Sequence, residues 1–189
     1  TVSALISSSV EVGYYGLPLS SSDIFFSNLH LEETSVSVLS GYALEIDDVN
    51  LTWSTNVRAS PIRFAPSYAN PTLVSSRSTF FVSGAPLLDT ASLSRVTIGQ
   101  CTLDIDYLAL LTLPSSPQIY ILDDSEVTYR TPVLLDSTSM LEHPNDQFSF
   151  KQSQLTYNPS IPSPNNVLGS ISRYPFETMQ FEYSSISNT

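Results

Sequence analysis

Apolar residues in this sequence recur at every second position, again and again, and a chain patterned in that way is committed to strands. Val10, Val12 and Tyr14 alternate, as do Val36 and Val38. Tyr42, Leu44 and Ile46 lead into Val49, Leu51 and Trp53, where the alternation changes parity. The change reads as a tight hairpin at Asp47-Asp48 or as a bulge. A second change of parity, near Gly99, separates Val96 and Ile98 from Cys101, Leu103, Ile105 and Tyr107. Phe80-Phe81-Val82 reads as a short buried strand. Ile119 with Ile121, Val127 with Tyr129, and Val133 with Leu135 continue the pattern. So do Phe148 with Phe150, Leu155 with Tyr157, and Met179 with Phe181 and Tyr183. These are about ten strand candidates, near the 8–12-residue spacing of an all-β sandwich or barrel.

Helix signals are thin, with eight alanines against 13 prolines. Two short helices are predicted. Ser22-Asp23 would cap one over residues 24–29, and Asp89-Thr90 would cap a turn through Arg95. Residues 58–71, with Pro61, Pro66 and Pro71, and residues 157–175, with four prolines and Gly169, are predicted as long exposed loops. No fixed-period repeat is visible, which argues against propellers and solenoids. At 189 residues, with no shift of composition, the chain is assigned to one domain, 1–189.

Charge narrows the partners. Six scattered arginines and a single lysine, Lys151, face 18 acids, for a net charge of −11. Nothing here neutralises a run of phosphates, so nucleic acid is not expected as a direct partner. Anionic membrane surfaces are disfavoured by the same sign, and no run of about 18 apolar residues is present. The first ten residues lack the positive region of a signal peptide, and Thr1 reads as a processed end. Cys101 is the only cysteine, so no intrachain disulfide or thiolate cluster can form, which fits a reducing compartment. Charged residues make only 13% of the chain, while serines number 34 and threonines 16, so much of the surface must be hydroxyl.

Candidate chemistry is sparse. Asp104 and Asp106 lie two apart and share a strand face, opposite Leu103, Ile105 and Tyr107. Asp123, Asp124 and Glu126 form a second acidic group at a turn. Either group could hold Ca²⁺ between subunits or pair as glycosidase carboxylates, although a solvated strand face is the plainer reading. Pro86-Leu87-Leu88-Asp89-Thr90-Ala91 resembles the active-site strand of retroviral-type aspartic proteases. That resemblance would imply a proton-sharing pair built on Asp89. The family's downstream Gly-Arg segment and flap glycines are missing, and Asp89 reads as a cap. His30 and His143 show no metal spacing, and His143 sits in a turn sequence. No nucleophile elbow and no phosphate-binding glycine loop occurs. Cys101 reads as a small core residue. Asn50-Leu51-Thr52 is a formal glycosylation acceptor. Tyr68, in a proline-bounded segment, is a candidate surface contact. No catalytic, cofactor-binding or metal residue is assigned, and no enzyme activity is expected.

The strand pairs through Tyr42–Trp53 and Gln147–Tyr157, the terminal strand near 177–184, the non-Met start and the Ser, Thr, Pro and Tyr content resemble the small coat proteins of plant picorna-like viruses, the secovirus group. That resemblance implies an eight-stranded antiparallel jelly-roll sandwich with long loops. It implies a structural capsid subunit of an icosahedral virion, packed against other coat proteins, with loops free for a host receptor. Interface cores are depleted of lysine and acids, which suits the composition. The alternative expectation is a viral spike or a carbohydrate- or receptor-binding β-sandwich module.

Overall fold

The structure is a computed structural model, and it describes residues 4–12, 23–38, 43–56, 59–64, 72–90, 95–111, 119–137, 147–159, 170–172 and 178–188. Every strand pairing among them is parallel. The chain winds as a parallel β-solenoid with three faces. Face 1 stacks residues 4–6, 30–32, 50–54, 79–83, 102–105, 126–129, 154–157 and 185–188 in order. Face 2 runs from Ser9–Val12 through Ser35–Val38, Ile62–Phe64, residues 88–90 and 109–111, and Val133–Ser137 to Ser170–Ser172. Face 3 runs from residues 23–27 through 43–47, Thr72–Ser76, Arg95–Gly99, Ile119–Asp123 and Gln147–Lys151 to Thr178–Glu182.

The interior is built from the alternation. On face 1, Leu5, Leu31, Leu51, Phe80, Leu103, Val127, Leu155 and Ile186 stack in register. On face 3, Ile24, Leu44, Leu73, Val96, Tyr120, Phe148 and Met179 form a second such column. Away from the two ends these side chains are fully buried, and each contributes roughly 1.5–3 kcal/mol by leaving water. At the last level the same inward positions are open: Met179 is 42% exposed and Ile186 is 56% exposed.

The face 3 to face 1 corner explains both changes of parity. Asn28, Asp48, Arg77, Gln100, Asp124, Gln152 and Tyr183 each sit there in the left-handed region, with φ between 46° and 55°. Such a residue reverses which side of the chain faces inward, so the alternation restarts one residue late. The next residue points in: Leu29, Val49, Ser78, Cys101, Ser125, Ser153 and Ser184. The hydroxyls form a ladder along the axis. The Cys101 amide donates to Ser125 Oγ at 3.1 Å, the Ser125 amide to Ser153 Oγ at 2.9 Å, and the Ser153 amide to Ser184 Oγ at 3.3 Å. Ser125 Oγ in turn donates to the Asp123 carbonyl and Ser78 Oγ to the Ser76 carbonyl, at 2.8 and 2.7 Å. A buried hydroxyl is tolerated because each is paired twice.

Several expectations are overturned by this coil. The fold is a parallel solenoid, not an antiparallel jelly-roll sandwich. Asp47-Asp48 makes no hairpin, since Ala43–Ser54 is one strand segment bent at Asp48. Asp23–Glu32 is strand, not the helix expected over 24–29. Asp89 and Thr90 end the long strand Thr79–Thr90 rather than cap a helix, and residues 91–94 lie outside the described residues. Phe81 is 45% exposed on the outside of that strand. Within 58–71, Ser60 and the strand Ile62–Phe64 are built into the stack rather than looped out; Ser60, Ile62 and Phe64 are buried, while Arg63 points outward. Within 157–175, Ser170–Ser172 is a face 2 strand, and residues 160–169 and 173–175 are outside the described residues. The missing fixed period, which argues against a solenoid in the sequence, has a physical reason. Successive ladder residues are instead separated by 29, 24, 28 and 31 positions where direct contacts mark them, which hides the repeat.

Candidate functional site

The two acidic groups singled out in the sequence become different things. Asp104 and Asp106 converge on Arg130, with Arg130 Nη2 on Asp104 Oδ1 and Arg130 Nη1 3.7 Å from Asp106 Oδ1. Asp106 also accepts the Gly84 amide at 2.6 Å. The group is an ion-paired brace at the face 1 to face 2 corner. Asp123, Asp124 and Glu126 point outward around the opposite corner, where all three are exposed. Asp123 stacks in register with Lys151, which lies 3.8 Å from Glu182. Among the described residues no group of three His, Cys, Asp or Glu side chains is placed to hold a metal ion.

The remaining candidates are dispersed. Asp89 stands in register with Arg63 on one side and Leu110 on the other, and Asp136 is the level beyond Leu110. Two strand spacings, about 9–10 Å, therefore separate those strand positions. His30 is half-exposed on face 1, 3.8 Å from Glu32. His143 and Tyr68 lie outside the described residues. Cys101 is buried in the ladder, where Sγ donates to the Gly99 carbonyl at 3.2 Å. Burial pushes its thiol above the usual range, against the lowering effect of Ser75 and of the Ser78 and Gly99 backbone. Burial, with Tyr157 second, pushes Tyr129 up to about 12.

The surface feature that the sequence reading missed runs along the hydroxyl-ladder corner. Because the ladder residue points inward, the residues before and after it project outward on either side. They make two parallel rails. One rail is the left-handed column already named. The other is His30, Asn50, Thr79, Thr102, Glu126, Gln154 and Ser185, stacked in register. The corner backbone is the floor between them. Two depressions lie in this groove. One of about 520 Å³ is lined by residues that include His30, Asp48, Asn50 and Arg77. One of about 450 Å³ is lined by residues that include Glu126, Gln152, Gln154 and Tyr183. The signal was legible as a pattern: Arg77-Ser78-Thr79-Phe80, Gln100-Cys101-Thr102-Leu103, Asp124-Ser125-Glu126-Val127, Gln152-Ser153-Gln154-Leu155 and Tyr183-Ser184-Ser185-Ile186 are one motif at uneven spacing.

The opposite pattern marks the edge between faces 2 and 3. All connections from a face 2 strand to the next face 3 strand depart and return there. They are residues 13–22, 39–42, 65–71, 91–94, 112–118, 138–146 and 173–177, and they lie outside the described residues. Tyr14, Tyr15, Tyr42, Tyr68 and Tyr174, five of the ten tyrosines, belong to them. The chain matches no protein-family model, no curated protein and no solved structure with which it was compared.

Proposed function

We propose that this chain is a structural module, a stiff β-solenoid built into a larger assembly such as the particle or surface spike of a virus, and that it is not an enzyme. The shell geometry of a jelly roll is gone, but a structural role fits the solenoid. One observation carries the reading. The described strands form one continuous stack in which every pairing is parallel and the inward columns are buried away from the two ends, which is the build of a stiff scaffold. Tyr14, Tyr15, Tyr42, Tyr68 and Tyr174 fall in sequence between face 2 and face 3 strands, and tyrosine supplies large contact area at small entropic cost, which suits contact with partner subunits or a host receptor. The titratable groups elsewhere are ion-paired braces or dispersed. Imaging of the native source material with a gold-labelled antibody against the chain tests the role. Labelling of a regular particle or projection is expected. Labelling confined to an unassembled soluble pool would overturn it.

A further inference from the structure

We infer that the groove along the face 3 to face 1 corner is a binding site for an uncharged, hydroxyl-rich polymer, a neutral polysaccharide laid parallel to the solenoid axis. The inference goes beyond the structural role and does not depend on it. It starts from the two rails. No position on either is aliphatic from Asn28 to Ser185. Left-handed backbone favours Asn and Asp on the first rail. It places no such demand on the second, which is ordinary strand. Other outward columns do take apolar residues, including Ile6, Phe25, Val74 and Phe81, all exposed. Uniform polarity is therefore confined to the columns flanking this corner, the second rail on face 1 and the face 3 column Ser27, Asp47, Ser76, Gly99, Asp123, Lys151 and Glu182 beside the first rail.

The chemistry on the rails fits sugar hydroxyls. Asn50, Gln152 and Gln154 each offer a donor and an acceptor from one amide, which is what a hydroxyl pair asks for. All three side chains are exposed. Tyr183, 87% exposed at the groove's end, presents a ring face for stacking. The levels repeat about every 4.8 Å, so the groove offers the same contacts periodically along its length, as a polymer does. Charge sets the class. Asp48, Asp124 and Glu126 outnumber Arg77 on the rails, and Arg77 is ion-paired with Asp47. With a net charge of −11 the groove repels polyanions.

Affinity electrophoresis of the full chain, made in a bacterial host so that Asn50 carries no glycan, tests this. The gels contain laminarin, mixed-linkage β-glucan, galactomannan, dextran or, as the anionic control, polygalacturonate. Retardation by at least one neutral polymer is expected. An Asn50→Ala/Gln152→Ala/Gln154→Ala variant, with unchanged circular dichroism and melting temperature, should weaken that retardation at least ten-fold. Retardation by no neutral polymer, retardation by polygalacturonate alone, or equal retardation of the variant would each overturn the inference.

Discussion

Between faces 3 and 1 the chain turns at every level with one left-handed residue and one inward side chain, whereas between faces 1 and 2 it turns differently almost every time. The second corner uses Ser7 and Glu33 in left-handed geometry at its first two levels. It then uses the longer segment 54–61, with the Trp53 indole donating to the Ala59 carbonyl. Gly84 follows at φ 86°, then a register shift between Ile105 and Tyr107, braced by Arg130. The regular corner is held by hydrogen bonds repeated between levels. The irregular corner repeats one bond at its first two levels, the Ser7 and Glu33 amides to the Glu32 and Thr52 carbonyls, and beyond them is held by a different contact at each level. One corner should therefore lose stability in small equal steps, and the other in a few large ones.

The largest effect is expected at Gly84. A Cβ there would lie 1.8 Å from the Thr55 carbonyl oxygen, and the backbone is already left-handed. Gly84→Ala should cost at least about 3 kcal/mol in urea unfolding, or prevent folding. Gly99 is the control, just before the regular corner. A Cβ there meets nothing nearer than the Asp123 carbonyl at 3.8 Å. If Gly99→Ala proves as costly as Gly84→Ala, the contrast between the corners is wrong.

High pH should open the irregular corner first. Tyr129 precedes Arg130 there, and its ring centroid is 5.3 Å from that of Tyr157. Its folded value is pushed from 10.0 up to about 12, so the folded state keeps a proton that the unfolded chain releases. Stability from this group is complete below pH 10 and is lost as pH rises towards 12, by about 2–3 kcal/mol in all. A Tyr129→Phe variant should lose less over that window. Hydrogen exchange at pH 10–11 should quicken at Arg130 and Thr131 before Ser125 and Ser153, and the reverse order would count against the comparison.

The strand content was legible because alternation survives any pairing scheme. The direction of pairing was not, because period two is the same for parallel and antiparallel neighbours. Both changes of parity were visible at Asp48 and near Gly99, yet a left-handed corner and a hairpin leave the same mark. The composition carried a hint that only the coil explains. In a parallel stack each outward residue sits about 4.8 Å from its counterpart above and below, so like charges at one position repel through the column. Among the described registered pairs no acid stacks on an acid. Glu126 lies between Thr102 and Gln154, and Asp104 between Phe81 and Thr128. Lys151, the lone lysine, lies between Asp123 and Glu182. Few charges and many hydroxyls suit such columns as well as they suit a coat-protein flank. The groove went unread because its short polar motif recurs at uneven spacing, so its levels do not align as a repeat.

On the regular corner the steps should be smaller. Ser125→Ala leaves the buried Cys101 amide without its acceptor and should cost about 1–3 kcal/mol. Ser153→Ala does the same to the Ser125 amide and should fall in the same range. Two equal losses would show that the corner is one device repeated. Unequal losses, in a ratio above about ten in equilibrium constant, would mean that each level is held by something local.

Between Ser78 and Ser184 the ladder lacks a hydroxyl at Cys101, and this position should matter least. Its thiol occupies the position of Ser78 and Ser125, accepts the Ser78 amide and donates to the Gly99 carbonyl. Ser75 Oγ lies 3.5 Å away across the interior. A serine at 101 would keep all three neighbours and shorten the bonds, since an oxygen acceptor sits closer to an amide than sulfur does. It would also give up a little apolar volume in a packed interior. The two effects oppose, and Cys101→Ser should change unfolding free energy by less than about 1 kcal/mol in either direction. Cys101→Val separates them. It preserves apolar bulk but removes the acceptor for the Ser78 amide, and should cost about 1–3 kcal/mol. If valine were tolerated as well as serine, hydrogen bonding along this corner would not be what holds it, and the ladder would be a consequence of the coil instead of one of its causes.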